Sequence, residues 1–102
     1  MNSVIISGKI KGKVNISSPS GGTPYASFSL EVSPNSNSGK HLNQSFSMPV
    51  TVIGKQNIEL VQSCFPATGC IGLTGSLQIS SNPSNPGRFR LLSRKVDFIL
   101  NS

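Results

Sequence analysis

Most side chains in this sequence that could do chemistry are cations. The 102 residues include nine Lys and Arg but only three acids, Glu31, Glu59 and Asp97, for a formal net charge of +6. The three acids have no close spacing that would form a carboxylate pair, and the single histidine, His41, cannot supply a catalytic triad. The sequence therefore gives no support for an enzyme. A basic excess of this kind favours an anionic partner, either nucleic acid or a membrane surface.

Two cysteines are the remaining reactive groups. Cys64 and Cys70 are six residues apart, which fits no metal-ligand spacing, and a zinc site needs about four ligands. We interpret them as two buried or half-buried reduced thiols. A disulfide between them is compatible with their spacing but is less common in a reducing compartment. We expect neither a metal nor a cofactor.

The cations follow the alternating pattern of strands. Lysines occupy every second position from residue 9 to residue 13, with apolar or small residues facing inward between them, which predicts a strand with a basic outer face. Three arginines stand at even positions near the C-terminus, and two further lysines lie in a predicted loop and at a predicted helix start. The candidate contacts with an anionic partner are Lys9, Lys11, Lys13, Lys40, Lys55, Arg88, Arg90 and Arg94. The alternative is that these charges are scattered and only make the surface soluble.

Two aromatic side chains are candidates for stacking on a base. Tyr25 falls on the outward phase of a predicted strand, and Phe89 stands between two arginines where another strand begins. Single-strand grooves combine such rings with cations that contact the phosphates. The phases of Phe28 and Phe98 predict that both lie in the core, and the phase of Phe46 favours the core or a subunit interface over stacking.

The elements that must position these residues form one domain, residues 1–102. Apolar alternation predicts five strands, at 3–14, 25–33, 44–53, 70–80 and 88–100, with one short helix at about 55–65. A short helix between the third and fourth of five strands is the order of an OB-fold barrel, an all-β fold. An SH3-like barrel also has five strands, and the helix decides between them. Glycines in the first and fourth strands would allow the bends that a small closed barrel requires.

Five stretches of sequence resemble the bacterial single-stranded-DNA-binding protein (SSB) family. They are NSVIISGKIKG, SPSGGTPYASFSLEV, PVTVIGKQNIELV, GLTGSLQ and RKVDFIL. Within the family the chain is most similar to the short, PriB-like branch of primosomal replication proteins, through SPSG at 18–21 and MPV at 48–50. The resemblance implies a protein that binds single-stranded DNA in replication or replication restart. It also implies a homodimer through the first strand, or a higher homo-oligomer, and a helicase or primosome protein as a further partner.

The departures from the family weaken base stacking. SSB proteins stack bases on tryptophans in the third strand and in the loops before it and between the fourth and fifth strands. This chain has no Trp, and Ser47 stands at the strand-three position. Each base–aromatic stack contributes about 1–3 kcal/mol, so we expect binding to be mainly electrostatic, with little sequence preference. A module that contacts proteins instead of DNA, and an RNA-binding relative, are the two alternatives.

No part of the sequence predicts a membrane segment. The N-terminus lacks the pattern of a signal peptide, and no stretch approaches the ~18 apolar residues that span a bilayer. By comparison with the family, we also expect the chain to lack the acidic tail through which SSB proteins recruit partners. We therefore expect a soluble protein of the cytoplasm, or of an organelle's stroma or matrix.

Overall fold

A computed structural model describes residues 2–33, 45–64, 69–79 and 89–100 of the protein. Its elements are β1 (Val4–Ser17), β2 (Tyr25–Val32), β3 (Phe46–Ile53), α1 (Lys55–Gln62), β4 (Cys70–Ile79) and β5 (Phe89–Leu100). The strands close a barrel in the order β1-β2-β3-β5-β4. The predicted five-stranded OB-fold barrel with one helix between β3 and β4 is confirmed. In the described ranges no helix is long and apolar enough to cross a membrane.

The barrel core follows directly from the alternation of the strands. Apolar residues at every second position of β2 and β3 point inward and meet across the interior. The fully or almost fully buried side chains include Leu30, Val50, Val52, Leu73 and Leu91. Burying a side chain of this size stabilises the fold by about 1.5–3 kcal/mol. The helix covers one end of the barrel with two more apolar residues, Ile58 and Val61.

β1 takes part in both halves of the barrel because it bends sharply. Its first half pairs with β4, from Val4 opposite Gly75 to Gly8 opposite Ile71. Its second half pairs with β2, and that ladder shifts register after Lys11. Gly12 lies in the shift with a φ of 78°, a backbone conformation that glycine adopts without steric cost. The alternation predicted Gly12 on the inner face. That was wrong, because the irregularity turns Gly12 toward the solvent.

β3 and β5 close the barrel along a short parallel seam. The paired residues are Val50 with Leu91, Thr51 with Leu92, and Val52 with Ser93. On its other side β5 pairs with β4 and contains two irregularities, since Arg94 and Asp97 have no partner on β4. Such β-bulges bend a strand and redirect the side chains that follow.

Asparagine amides continue two of the ladders where the backbone stops. On the edge of β4, Asn2 Nδ2 donates to the Leu77 carbonyl at 2.7 Å, and the Leu77 N–H donates to Asn2 Oδ1 at 3.1 Å. This reciprocal pair imitates a hydrogen-bonded residue of an antiparallel strand. The end of β3 carries a similar contact from Asn57, described below.

Phe98 lies on the outside of the barrel, so its predicted place in the core was wrong. Its ring covers Gly72, the residue opposite it on β4, and 43% of the residue is exposed. A Cβ at Gly72 would overlap the ring. The bulge at Asp97 turns Val96 and Ile99 inward instead. Phe28 is buried as predicted. Phe46 is half exposed at the start of β3, so it is not in the core and the prediction of a subunit interface remains.

The two thiols have the predicted burial. Cys64 is buried in the core and Cys70 is half-buried on β4. Burial, and secondarily the neighbouring Cys70, raise the pKa of Cys64. The buried thiol is therefore the less reactive of the two. No three metal-ligating side chains cluster anywhere in the described ranges.

Gly54 forms the junction between β3 and the helix. Its φ of 104° and ψ of 142° lie in a region that is almost restricted to glycine. Its N–H donates to the Pro24 carbonyl at 3.0 Å, and its own carbonyl accepts from the Ile58 N–H at 3.0 Å. The junction thus fixes both the start of the helix and the start of β2.

We expect Gly54→Ala to lower the free energy of unfolding by about 1–3 kcal/mol, because alanine is strained in this backbone conformation. An added Cβ would meet Asn57 only at an ordinary contact distance, 3.5 Å, so the loss comes from the backbone. Urea unfolding monitored by circular dichroism measures it. Gln56→Ala, on the exposed side of the same helix, is the control, and an equal effect of the two substitutions would contradict this explanation.

Candidate functional site

An open groove runs across the outer surface of β2, β3 and β5. Its volume is about 530 Å³. The groove is lined by Thr23, Tyr25, Ser27, Thr51, Ile53, Arg90, Leu92 and Arg94. It is therefore the site where the structure brings together three of the predicted binding residues, Tyr25, Arg90 and Arg94.

The register of the sheet determines which side chains meet in the groove. On β2 and β3, Tyr25 lies opposite Ile53 and Ser27 lies opposite Thr51. On β3 and β5, Thr51 lies opposite Leu92. These positions alternate with buried core residues, so all of them point outward. Leu92 was not among the predicted site residues, although its position midway between two outward arginines was a signal that pointed to it.

Arg90 lies in the groove with an unsatisfied hydrogen-bond donor. Its Nη2 donates to Gln78 Oε1 at 3.3 Å. Its Nε is buried and has no hydrogen-bond partner in the structure. An unpaired buried donor costs about 1–3 kcal/mol, and a ligand that supplies an acceptor removes that cost. A phosphate oxygen is such an acceptor and suits the forked guanidinium geometry.

Neither groove arginine is neutralised by an ion pair with an acidic side chain in the described part of the chain. Glu31 forms an ion pair with Lys11, with 3.8 Å between Oε2 and Nζ. Asp97 forms one with Lys95, with 3.5 Å between Oδ1 and Nζ. Arg90 and Arg94 form no ion pair there, so the groove keeps its positive charge and attracts anions.

Tyr25 supplies one aromatic surface. It lies at the same end of the groove as Ile53, its partner on β3. The residue is 37% exposed, so part of its ring is accessible to a planar ligand. Hydroxyl groups of Thr23, Ser27 and Thr51 lie along the same groove and can donate or accept hydrogen bonds. The site thus combines one stacking surface, two guanidinium groups and several neutral polar groups.

The β1 lysines lie outside this groove. Lys9, Lys11 and Lys13 are all exposed, as their alternation predicted. Lys9 lines a separate depression with Glu31 and Cys70, and Lys11 is engaged by Glu31. The structure therefore does not place the lysines and the arginines in one groove.

The remaining candidates are also dispersed. Lys55 lines a depression beside the helix, together with Ile16 and Glu59. Phe89 is 54% exposed, but it has the same strand phase as the buried Leu91. Its phase is therefore opposite to that of Arg90. Lys40 and Arg88 lie outside the described residues.

Comparison with known proteins gives one family match. The model of the single-strand binding protein family matches residues 1–96. No curated protein matches the chain significantly.

Solved structures of low sequence identity share the fold. A mitochondrial single-stranded DNA binding protein of S. cerevisiae has a TM-score of 0.70 at 12% identity, covering 98% of this chain and 97% of its own. The Plasmodium falciparum SSB, solved with single-stranded DNA, has a TM-score of 0.70 at 17% identity, with 100% and 95% covered. The N-terminal domain of PriB from Thermoanaerobacter tencongensis, a dimeric structure, has a TM-score of 0.66 at 17% identity, with 99% and 98% covered.

Proposed function

This chain belongs to the single-strand binding protein family, and we propose that it is a non-catalytic protein that binds single-stranded DNA in the groove between Tyr25, Arg90 and Arg94. The observation that carries this proposal is the pair of groove arginines without acidic partners, one of which has a buried, unpaired Nε. An extended strand would place phosphates against the arginines and a base against Tyr25.

The spacing of the arginines suits more than one phosphate. Arg90 and Arg94 are four residues apart on β5, which is about 13 Å at the usual rise of a strand. A backbone separation of this order allows each arginine to contact a different phosphate. Two phosphates of the same strand would span the groove, with Leu92 beneath the sugar or base between them.

Binding through this site is mainly electrostatic. One tyrosine replaces the several stacking rings of the wider family, and each missing stack removes about 1–3 kcal/mol. Arginine contacts with phosphates carry no sequence information, so the site has little sequence preference. Its affinity should fall steeply with salt as counterions return to the DNA.

The wider role that we propose is in DNA replication or replication restart, with a helicase or primosome protein as a further partner. Support comes from the family and from the fold shared with a PriB domain. A cytoplasmic location, or an organelle's matrix, would be consistent with that role.

The first test is fluorescence anisotropy of a labelled 30-mer of oligo-dT, titrated with protein at several salt concentrations. We expect binding at low salt. In the variant with both Arg90→Ala and Arg94→Ala, the log–log salt slope should become shallower by about 1.4, since each phosphate contact on a single strand contributes about 0.7.

Lys55→Ala is the matched control, because Lys55 lies in another depression and should leave the slope nearly unchanged. A wild-type protein that does not bind oligo-dT at low salt would contradict the proposed function and favour a protein-interaction module. Equal binding of oligo-dT and oligo-U would extend the site to RNA.

We also propose that two copies associate through the outer face of β1. Ile5 is 79% exposed in the middle of a paired region of that strand, and Phe98 is 43% exposed on the same outer surface. Apolar side chains exposed together on a regular sheet are typical of protein interfaces. The dimeric PriB domain of the same fold also supports this arrangement.

We expect Ile5→Glu to shift the protein from dimer to monomer in size-exclusion chromatography with light scattering, because each interface would bury an unpaired carboxylate. Asn15→Glu is the control, since it adds the same charge to an exposed position at the other end of β1. A wild-type protein that runs as a monomer, or an Ile5→Glu variant that stays dimeric, would rule out this interface.

A further inference from the structure

Asn57 connects three elements of the barrel through one side-chain amide. Its Nδ2 donates to the carbonyl of Ile53 at 3.0 Å and to the carbonyl of Arg94 at 3.0 Å. Its Oδ1 accepts from the N–H of Val96 at 3.1 Å. The helix, the end of β3 and the middle of β5 therefore meet at this residue, with both amide hydrogens and the oxygen in use.

The two contacts with β5 imitate a further residue of β3. In a parallel ladder, one residue bonds to the carbonyl and the N–H that flank its partner. Asn57 bonds to the Arg94 carbonyl and the Val96 N–H, which flank Lys95. The last backbone pair of this seam is Val52 with Ser93. The amide therefore continues the ladder at the point where the chain has already turned into the helix.

The residue secured in this way is a groove arginine that the sheet itself does not hold. Arg94 is the bulged residue of β5, because Ser93 pairs with Gly75 and Lys95 pairs with Thr74. On the side toward β3, the pairing has also ended one residue earlier. Backbone pairing with either neighbour therefore leaves the direction of the Arg94 side chain undetermined.

A buried hydroxyl supports the bulge from the side of β4. Ser93 has no exposed surface. Its Oγ lies 2.8 Å from the Thr74 carbonyl and 2.9 Å from the Lys95 carbonyl, either of which it can donate to, and it accepts from the Lys95 N–H at 3.3 Å. The Asn57 amide thus holds the Arg94 carbonyl from the side of β3, and the Ser93 hydroxyl holds the neighbouring Lys95 backbone from the side of β4.

We infer that Asn57 is a positioning residue for nucleic-acid binding: its amide fixes the bulge that directs the Arg94 guanidinium into the groove. This inference rests on the proposed function, because it concerns how one of the proposed contacts is held. Asn57 itself is not a ligand contact, since its polar atoms are directed at the backbone of the protein.

The test is a double-mutant cycle on the full chain, measured with the same oligo-dT 30-mer at low salt. Asn57→Ala should weaken binding nearly as much as Arg94→Ala does. In the Arg94→Ala background it should have less than about a twofold further effect, whereas in the Arg90→Ala background it should keep its full effect. Alanine is the best helix former, so a loss of binding would not reflect a weaker helix.

A second readout follows the contact directly. Amide hydrogen exchange of Val96, measured by NMR, should accelerate in Asn57→Ala while the other amides of β5 change less. Gln56→Ala, on the neighbouring exposed position of the same helix, should change neither the affinity nor the Val96 amide. If Asn57→Ala does not fold, Asn57→Ser is the milder variant for the same cycle, because Asn and Ser have similar helix propensities.

Three results would overturn the inference. They are an unchanged affinity in Asn57→Ala where Arg94→Ala weakens binding, an equal effect of Asn57→Ala in the two arginine backgrounds, and an Arg94→Ala variant that binds as wild type. Failure of the proposed function is distinguishable from these, because it appears already in the wild-type protein as an absence of binding at low salt.

Discussion

The site depends on the closure of the barrel between β3 and β5. This seam has three residue pairs, between Val50–Val52 and 91–93, whereas the other strands pair along longer ladders. Closure places the arginines of β5 beside the outward residues of β2 and β3. Without it, Tyr25 and Arg90 would lie on separate parts of the sheet and no groove would exist.

The seam is short because β3 must turn into the helix that covers the barrel. Gly54 makes this turn, and its backbone conformation is nearly restricted to glycine. The turn leaves polar backbone groups of β5 without a strand partner, and a buried polar group without a partner is costly. Asn57, the third residue of the helix, supplies the missing partner. Gly54 thus makes the turn at the end of β3, and Asn57 pairs with the β5 groups that the turn leaves without a strand partner.

Strand phase explains how much of the molecule could be predicted from the sequence. Alternation identified the five strands, the buried Phe28 and the outward Tyr25, and it placed Arg90 and Arg94 on one face. It could not reveal the bulge at Asp97, which breaks the phase between the inward Val96 and Phe98, two residues later on the outside. Phe89 was paired with its neighbouring arginines by proximity in sequence, although consecutive residues of a strand face opposite sides.

Features that depend on three-dimensional closure were beyond the sequence. The lysines of β1 are exposed as predicted, but β1 pairs with β2 and β4 and not with β3 or β5, so the lysines lie outside the groove. The role of Asn57 has no periodic signal, because its amide acts on backbone atoms 37 and 39 residues away. Both cases required knowledge of which strands become neighbours.

The position of the groove across the shortest ladder of the barrel has a thermodynamic consequence. A ligand that contacts both β2 and β5 binds only to the closed barrel, so by linkage it stabilises closure by RT ln(1 + L/Kd), where L is the free ligand concentration. The reverse also holds, since any change that favours opening of the seam lowers the affinity by the fraction of barrels that are open. A nucleic-acid strand bound in this groove would therefore help to hold the barrel closed.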